Sequence, residues 1–170
     1  AGEKGDKKVQ LMGSGVILNE VIKGAELLKN DFGVDADIWS VPSFNLLHRD
    51  AIEVERYNRL HPLEEAKQPF VTRQLQGYEG PVIASTDYIR SFADRIRAYI
   101  PNDYHVLGTD GFGRSDSRAN LRDFFEVDSR HVAVAALSAL AEQGKVGKEV
   151  VQQAIEKYGI QTDTAPSWKR

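Results

Sequence analysis

The stretch Val9-Gln-Leu-Met-Gly-Ser-Gly15 carries the first sign of architecture in this 170-residue sequence. Val9 to Met12 is a short apolar run that ends at Gly13, the form of a buried strand meeting a turn. Past the turn, Val21, Ile22, Ala25 and Leu28 recur at helical spacing, and Gly33 supplies a stop after Phe32. A strand that runs through a tight turn into a helix is the building unit of a parallel sheet. The unit repeats along the chain.

Ala36 to Val41 alternates and is rich in strand formers, and Pro42 ends it. A helical stretch follows over Phe44 to Leu60, with Leu46, Leu47, Ile52, Val54 and Tyr57, stopped by His61-Pro62. The next twenty or so residues are broken by Pro62, Pro69, Gly77, Gly80 and Pro81, and predict a connection with one short helix around Val71 to Leu75. Val82-Ile83-Ala84 reads as a third strand. Tyr88, Ile89, Phe92, Ala93, Ile96 and Tyr99 predict an amphipathic helix that Pro101 terminates, and Tyr104 to Leu107 a fourth strand. Three helical segments close the sequence, over 118–125, 129–143 and 148–158. Asp128 is placed to cap the second of them, and Gly144 and Gly159 to end the second and third. The alternation predicts an α/β domain: three layers, with a mainly parallel sheet and helices on both faces. Right-handed crossovers would line up the loops after the strands along one rim of that sheet.

The totals bound the function. A chain of this length closes around one core and buries about 70% of the surface it exposes when unfolded. With 41% hydrophobic and 28% charged residues the composition is that of an ordinary globular protein. No apolar run approaches the ~20 residues that span a bilayer. The opening AGEKGDKKVQ is polar, so it is not a secretory signal, and residues 1–8 read as a linker or chain end leading into a domain over 9–170. Cysteine is absent. That excludes disulfides, thiolate metal sites and cysteine nucleophiles, and fits a reducing cytoplasm. A net charge of −3 argues against nucleic acid, which needs a basic surface to neutralise phosphates.

Three features of the sequence are candidates for chemistry. Gly13-Ser14-Gly15 has the form of an anion-binding βα turn, but Leu18 stands where a dinucleotide fingerprint needs its third glycine, so a plain tight turn is the better reading. His48, His61, His105 and His131 never stand at i, i+4 beside a glutamate, and read as capping, packing or surface residues. No G-x-S-x-G elbow is present. The third feature is the eleven-residue loop Gly108-Thr-Asp-Gly-Phe-Gly-Arg-Ser-Asp-Ser-Arg118. Opposite charges so close together lock an irregular backbone through charge-assisted hydrogen bonds. Asp110, Phe112, Arg114, Ser115, Asp116 and Arg118 make it an arginine-anchored contact surface, or alternatively an anion pocket formed by its two arginines. No catalytic, cofactor-binding or metal-ligating residue is assigned from the residues alone.

At this loop the sequence resembles the C-terminal domain of the homodimeric pyruvate dehydrogenase decarboxylating components, thiamine-diphosphate enzymes related to transketolase. The resemblance extends through Val9 to Gly15, Asp37-Ile-Trp-Ser-Val41, Arg59-Leu-His-Pro-Leu63, Ala84-Ser-Thr-Asp-Tyr88, Phe124-Phe-Glu-Val-Asp128 and Val132 to Leu140. Phe112-Gly113 followed by Ser115 matches the shorter pattern of transketolases more widely. It implies an oxidoreductase that decarboxylates pyruvate and passes acetyl to lipoyl groups of dihydrolipoyl acetyltransferase. It implies also that thiamine diphosphate and magnesium sit in other domains of the parent homodimer, since no G-D-G…N motif stands here. This domain would then be a non-catalytic support of the dimer and its active-site approach. The rival is a regulatory module that binds a nucleotide or another anion at the Gly13–Gly15 turn or the two arginines. A stand-alone enzyme would need reactive groups that the residues do not offer.

Overall fold

The computed structural model describes residues 7–170, so the linker expected over 1–8 falls largely outside the described residues. Four strands form one sheet: β1 (Lys8–Gly13), β2 (Asp35–Ser40), β3 (Val82–Ser85) and β4 (Tyr104–Leu107). Their order is β2-β1-β3-β4 and every pairing is parallel. The register sets Leu11 beside Ile38 on one side and Ile83 on the other, and Ile83 beside His105.

Strand alternation sends side chains to two faces, and each face has its own core. Val9, Leu11 and Ile83 pack under α1 (Leu18–Phe32), α6 (Ser129–Glu142) and α7 (Lys148–Tyr158). Met12, Val82, Ala84, Tyr104 and Val106 pack under α2 (Phe44–Leu60), α3 (Phe70–Leu75) and α4 (Arg90–Asp94). The short helix α5 (Arg118–Phe124) follows the long rim loop. The expected three-layer α/β architecture is present.

Local chemistry accounts for the helix ends. Ser43 caps α2 by accepting from the Leu46 amide. Asp128 caps α6 by accepting from the Arg130 and His131 amides. Gly33 and Gly159 close α1 and α7 in the left-handed conformation.

One expectation fails. The single amphipathic helix read over Tyr88 to Tyr99 is instead α4 followed by a separate 3-10 turn, Arg97–Tyr99. Tyr88 cannot enter a helix because its carbonyl accepts from the Thr109 amide and its own amide donates to Thr86. Ile89 is extended, and Tyr88 and Ile89 lie exposed on the rim. At the far end Pro101 denies Ile100 a helical conformation, leaving it extended.

Candidate functional site

The strand order reverses between β1 and β3, since β2 lies outside β1 on one side and β4 outside β3 on the other. Sheets of this kind offer their crevices beyond the carboxyl ends of the strands at such a reversal. The Gly13–Gly15 turn leaves from β1, Thr86 to Ile89 from β3 and the 108–117 loop from β4.

The glycine turn serves packing. A Cβ on Gly13 would stand 2.8 Å from the Leu18 Cα, so glycine lets α1 pass close to β1. Ser14 Oγ donates to Thr86 Oγ1 at 2.8 Å, the Ser14 amide donates to the Ser85 carbonyl, and the Ile17 amide donates to the Ser14 carbonyl. A 3-10 turn, Gly15–Ile17, separates the glycines from α1. The first turn of α1 already has its anion, the buried carboxylate of Glu20, which accepts from Arg122 at 2.8 Å and from the Ser129 amide at 3.1 Å. Nothing in the spacing of residues pointed to Glu20, because its partners come from α5 and α6, more than a hundred positions on.

The rim loop is ordered, but not by ion pairs between its own residues. Asp110 accepts from the Arg90 amide at 2.9 Å, and its other oxygen lies 4.0 Å from the Arg90 guanidinium. Asp116 accepts from the Ser117 amide at 2.6 Å and from Asn120 at 2.8 Å, while Ser117 caps α5. Carboxylates bonded to main-chain amides therefore do the work that the sequence assigned to neighbouring arginines. Thr109 ties the loop to β3's exit through the Asp87 and Tyr88 carbonyls. The C-terminal segment closes over the loop. Ser167 donates to the Asp110 carbonyl at 2.6 Å, and Gly111, with φ of +116°, lies against Ser167 and Trp168 so closely that a Cβ would be 3.1 Å from the Trp168 Cα.

The aspartates so employed leave the arginines to other tasks. Arg114 stacks on the Phe124 ring at 4.2 Å, and Arg170 lies over the same ring at 4.6 Å. The Arg118 side chain has no hydrogen bond, ion pair or ring contact among the described residues. Phe112 is 88% exposed at the tip, and Ser115 is exposed beside it.

A second polar cluster sits at the start of α6. Asp123, Asp128 and His131 bring ligand atoms within 4.8 Å of one another. The Arg130 guanidinium reaches both carboxylates, at 2.6 Å to each, and His131 Nδ1 lies 2.8 Å from Asp128. A cation is already in the place a metal would need, so the cluster is a helix cap with its counterions and does not fit a magnesium ion. His61 is likewise occupied: its Nδ1 bonds the Tyr57 carbonyl at 2.8 Å and its ring stacks on Tyr57.

A parallel three-layer domain with this strand order defines an α/β class that known structures share. A solved split-gene transketolase, described as an inactive beta4 tetramer, superposes with a TM-score of 0.54 at 16% identity over 79% of this chain and 40% of its own. The chain belongs to the family of transketolase-like TK C-terminal domains, whose family model matches residues 1–128. It is 60% identical over 153 residues to the pyruvate dehydrogenase E1 component of Pseudomonas aeruginosa, which covers 89% of this chain and 17% of that protein. It is 52% identical over 163 residues to the pyruvate dehydrogenase E1 component of Escherichia coli, covering 95% of this chain and 18% of that one. The chain thus spans about a sixth of the length of these curated relatives. Among the described residues no helix is long and apolar enough to cross a membrane.

Proposed function

We propose that this chain is the C-terminal domain of a pyruvate dehydrogenase E1 component, a non-catalytic part that supports the parent dimer and shapes the approach to its active centre in the cytoplasm. The observation that carries the reading is 60% identity, over 89% of this chain, to a protein about five times as long that is named for that activity. The parent enzyme would decarboxylate pyruvate and acetylate lipoyl groups of dihydrolipoyl acetyltransferase, with thiamine diphosphate and magnesium supplied by its other domains. The residues here do not fit that cofactor, since the carboxylate–histidine cluster found among the described residues is neutralised by Arg130, so no step is assigned to them.

The rim is the part suited to a neighbour. Val16, Tyr88, Ile89 and Phe112 are all large, apolar and exposed there, and Arg114 and Arg118 form no ion pair among the described residues. Aromatic residues and arginines at the centre of a contact contribute most of its binding energy. Alanine at Arg114 and Arg118 together in the full-length enzyme is expected to raise the dimer dissociation constant about tenfold or more and to lower turnover. Phe112→Ser should weaken the dimer in the same direction. Analytical ultracentrifugation and steady-state rates check both, and unchanged dimer stability with unchanged turnover would defeat the contact role.

A further inference from the structure

A cavity of about 350 Å³ opens beside the rim loop, between the turn after β1 and the start of α5. Its apolar lining is Val16, Ile17, Leu121, Phe125 and Val127, and Arg114, Arg118 and Arg122 line it as well. Asp87 is the one acidic residue in the lining, and of the three arginines Arg122 is ion-paired with Glu20, which leaves Arg114 and Arg118 with no carboxylate partner among the described residues. Arg122 is anchored by Glu20 at 2.8 Å and Arg114 by the Phe124 ring. Two of the three cations are therefore held in position by the fold, and Arg118 stands beside them with its charge unanswered among the described residues. Thr109 and the backbone of Gly111 and Gly113 add small polar groups to the lining. Preorganised arginines bind planar or tetrahedral oxyanions through paired hydrogen bonds, and an apolar floor rewards a hydrophobic body attached to the anion.

We infer that this cavity binds a small organic anion, a phosphate or carboxylate carried on an apolar body. The anion lies against Arg118 and Arg114, and the apolar part rests on Leu121 and Phe125. The inference goes beyond the contact role but shares Arg114 and Arg118 with it, whereas Phe112, also assigned to the contact, does not line the cavity and so separates the two.

Titration calorimetry at low ionic strength tests it, with phenyl phosphate, benzoate and inorganic phosphate as probes. It is run on the full-length protein that contains this domain, and repeated on the 170-residue chain if its melting curve is cooperative. The expected result is that phenyl phosphate or benzoate binds at least about tenfold more tightly than inorganic phosphate. The tighter of the two organic probes tells whether the natural ligand carries phosphate or carboxylate. Arg118→Ala, which removes no side-chain contact among the described residues, should weaken that binding about tenfold, beyond any loss seen in Phe112→Ser, which disturbs the rim contact without lining the cavity, and Arg118→Lys should recover part of it. Phe112→Ser should leave it intact. No binding of either organic probe, equal affinity for inorganic phosphate, or full affinity in Arg118→Ala overturns the inference.

Discussion

Asp128 shows how one side chain is used several times over. Its carboxylate accepts the Arg130 and His131 amides that open α6, and also the Arg130 and His131 side chains. Burial alone would raise its pKa. The hydrogen bonds from His131 and Arg130 outweigh burial and hold the carboxyl well below its ordinary value of 3.8. A depressed folded pKa means that the unfolded chain binds the proton more readily. The stabilisation is therefore complete above about pH 4 and is lost as the pH falls from there towards the folded value. Asp128→Asn keeps a capping side chain but no charge. It should cost about 1–2 kcal/mol at neutral pH and flatten the loss of stability between pH 4 and pH 2. Urea midpoints measured across that range check this, and parallel curves for the two proteins would contradict it. Glu20 belongs to the same scale. In sequence it sits in the first turn of an amphipathic helix like any surface acid, yet it is 6% exposed and joins α1 to α5 and α6. Such a role has no local signature, because its partners come from elsewhere in the chain.

Among the elements, the rim loop and the C-terminal segment form one unit. Ser167 bonds the Asp110 carbonyl, Trp168 lies against Gly111, and Arg170 shares the Phe124 ring with Arg114. Removing residues 160–170 should leave the sheet in place, because both cores are built from residues before Gly159. The loop, by contrast, loses its cover. Hydrogen exchange at the amides of 109–113 is expected to quicken at least about tenfold, while β1 and β3 stay protected. Equal protection in the shortened chain would mean that the loop is held by Thr109, Asp110 and Asp116 alone. The divided segment between β3 and β4 follows the same rule. Its apolar spacing is helical, but a bond from Thr109 to the Tyr88 carbonyl competes for the first turn and wins, since it also seats the loop after β4.

In the whole molecule, two cores lie on opposite faces of one sheet. Ile83 belongs to the first and Val82 and Ala84 to the second, so adjacent residues of a single strand serve both. Neither face can lose its helices without uncovering the strands that the other face needs. Unfolding is accordingly expected to be a single transition. Trp39 reports from beside the second core and Trp168 from the rim segment, so fluorescence and far-ultraviolet dichroism should give the same denaturant midpoint. Separate midpoints would show that the two faces come apart independently.

The amino-acid sequence by itself determined the alternation of strands and helices, the limits of most of them but not of the helix expected over Tyr88 to Tyr99, the three layers, and the caps at Asp128, Gly33 and Gly159. Hydrophobic periodicity and end signals are local, so they can be read one segment at a time. It also singled out 108–118 as the unusual stretch, because glycine and charge in such density cannot cover a core. Only the tertiary structure decided how those charges are spent. Asp110 and Asp116 satisfy backbone amides, Arg122 meets a buried acid from α1, Arg114 lies on an aromatic ring, and Arg118 is left facing a cavity. A charge finds its partner by distance in space, and closeness in space between remote segments is set by the packing of the sheet and its helices.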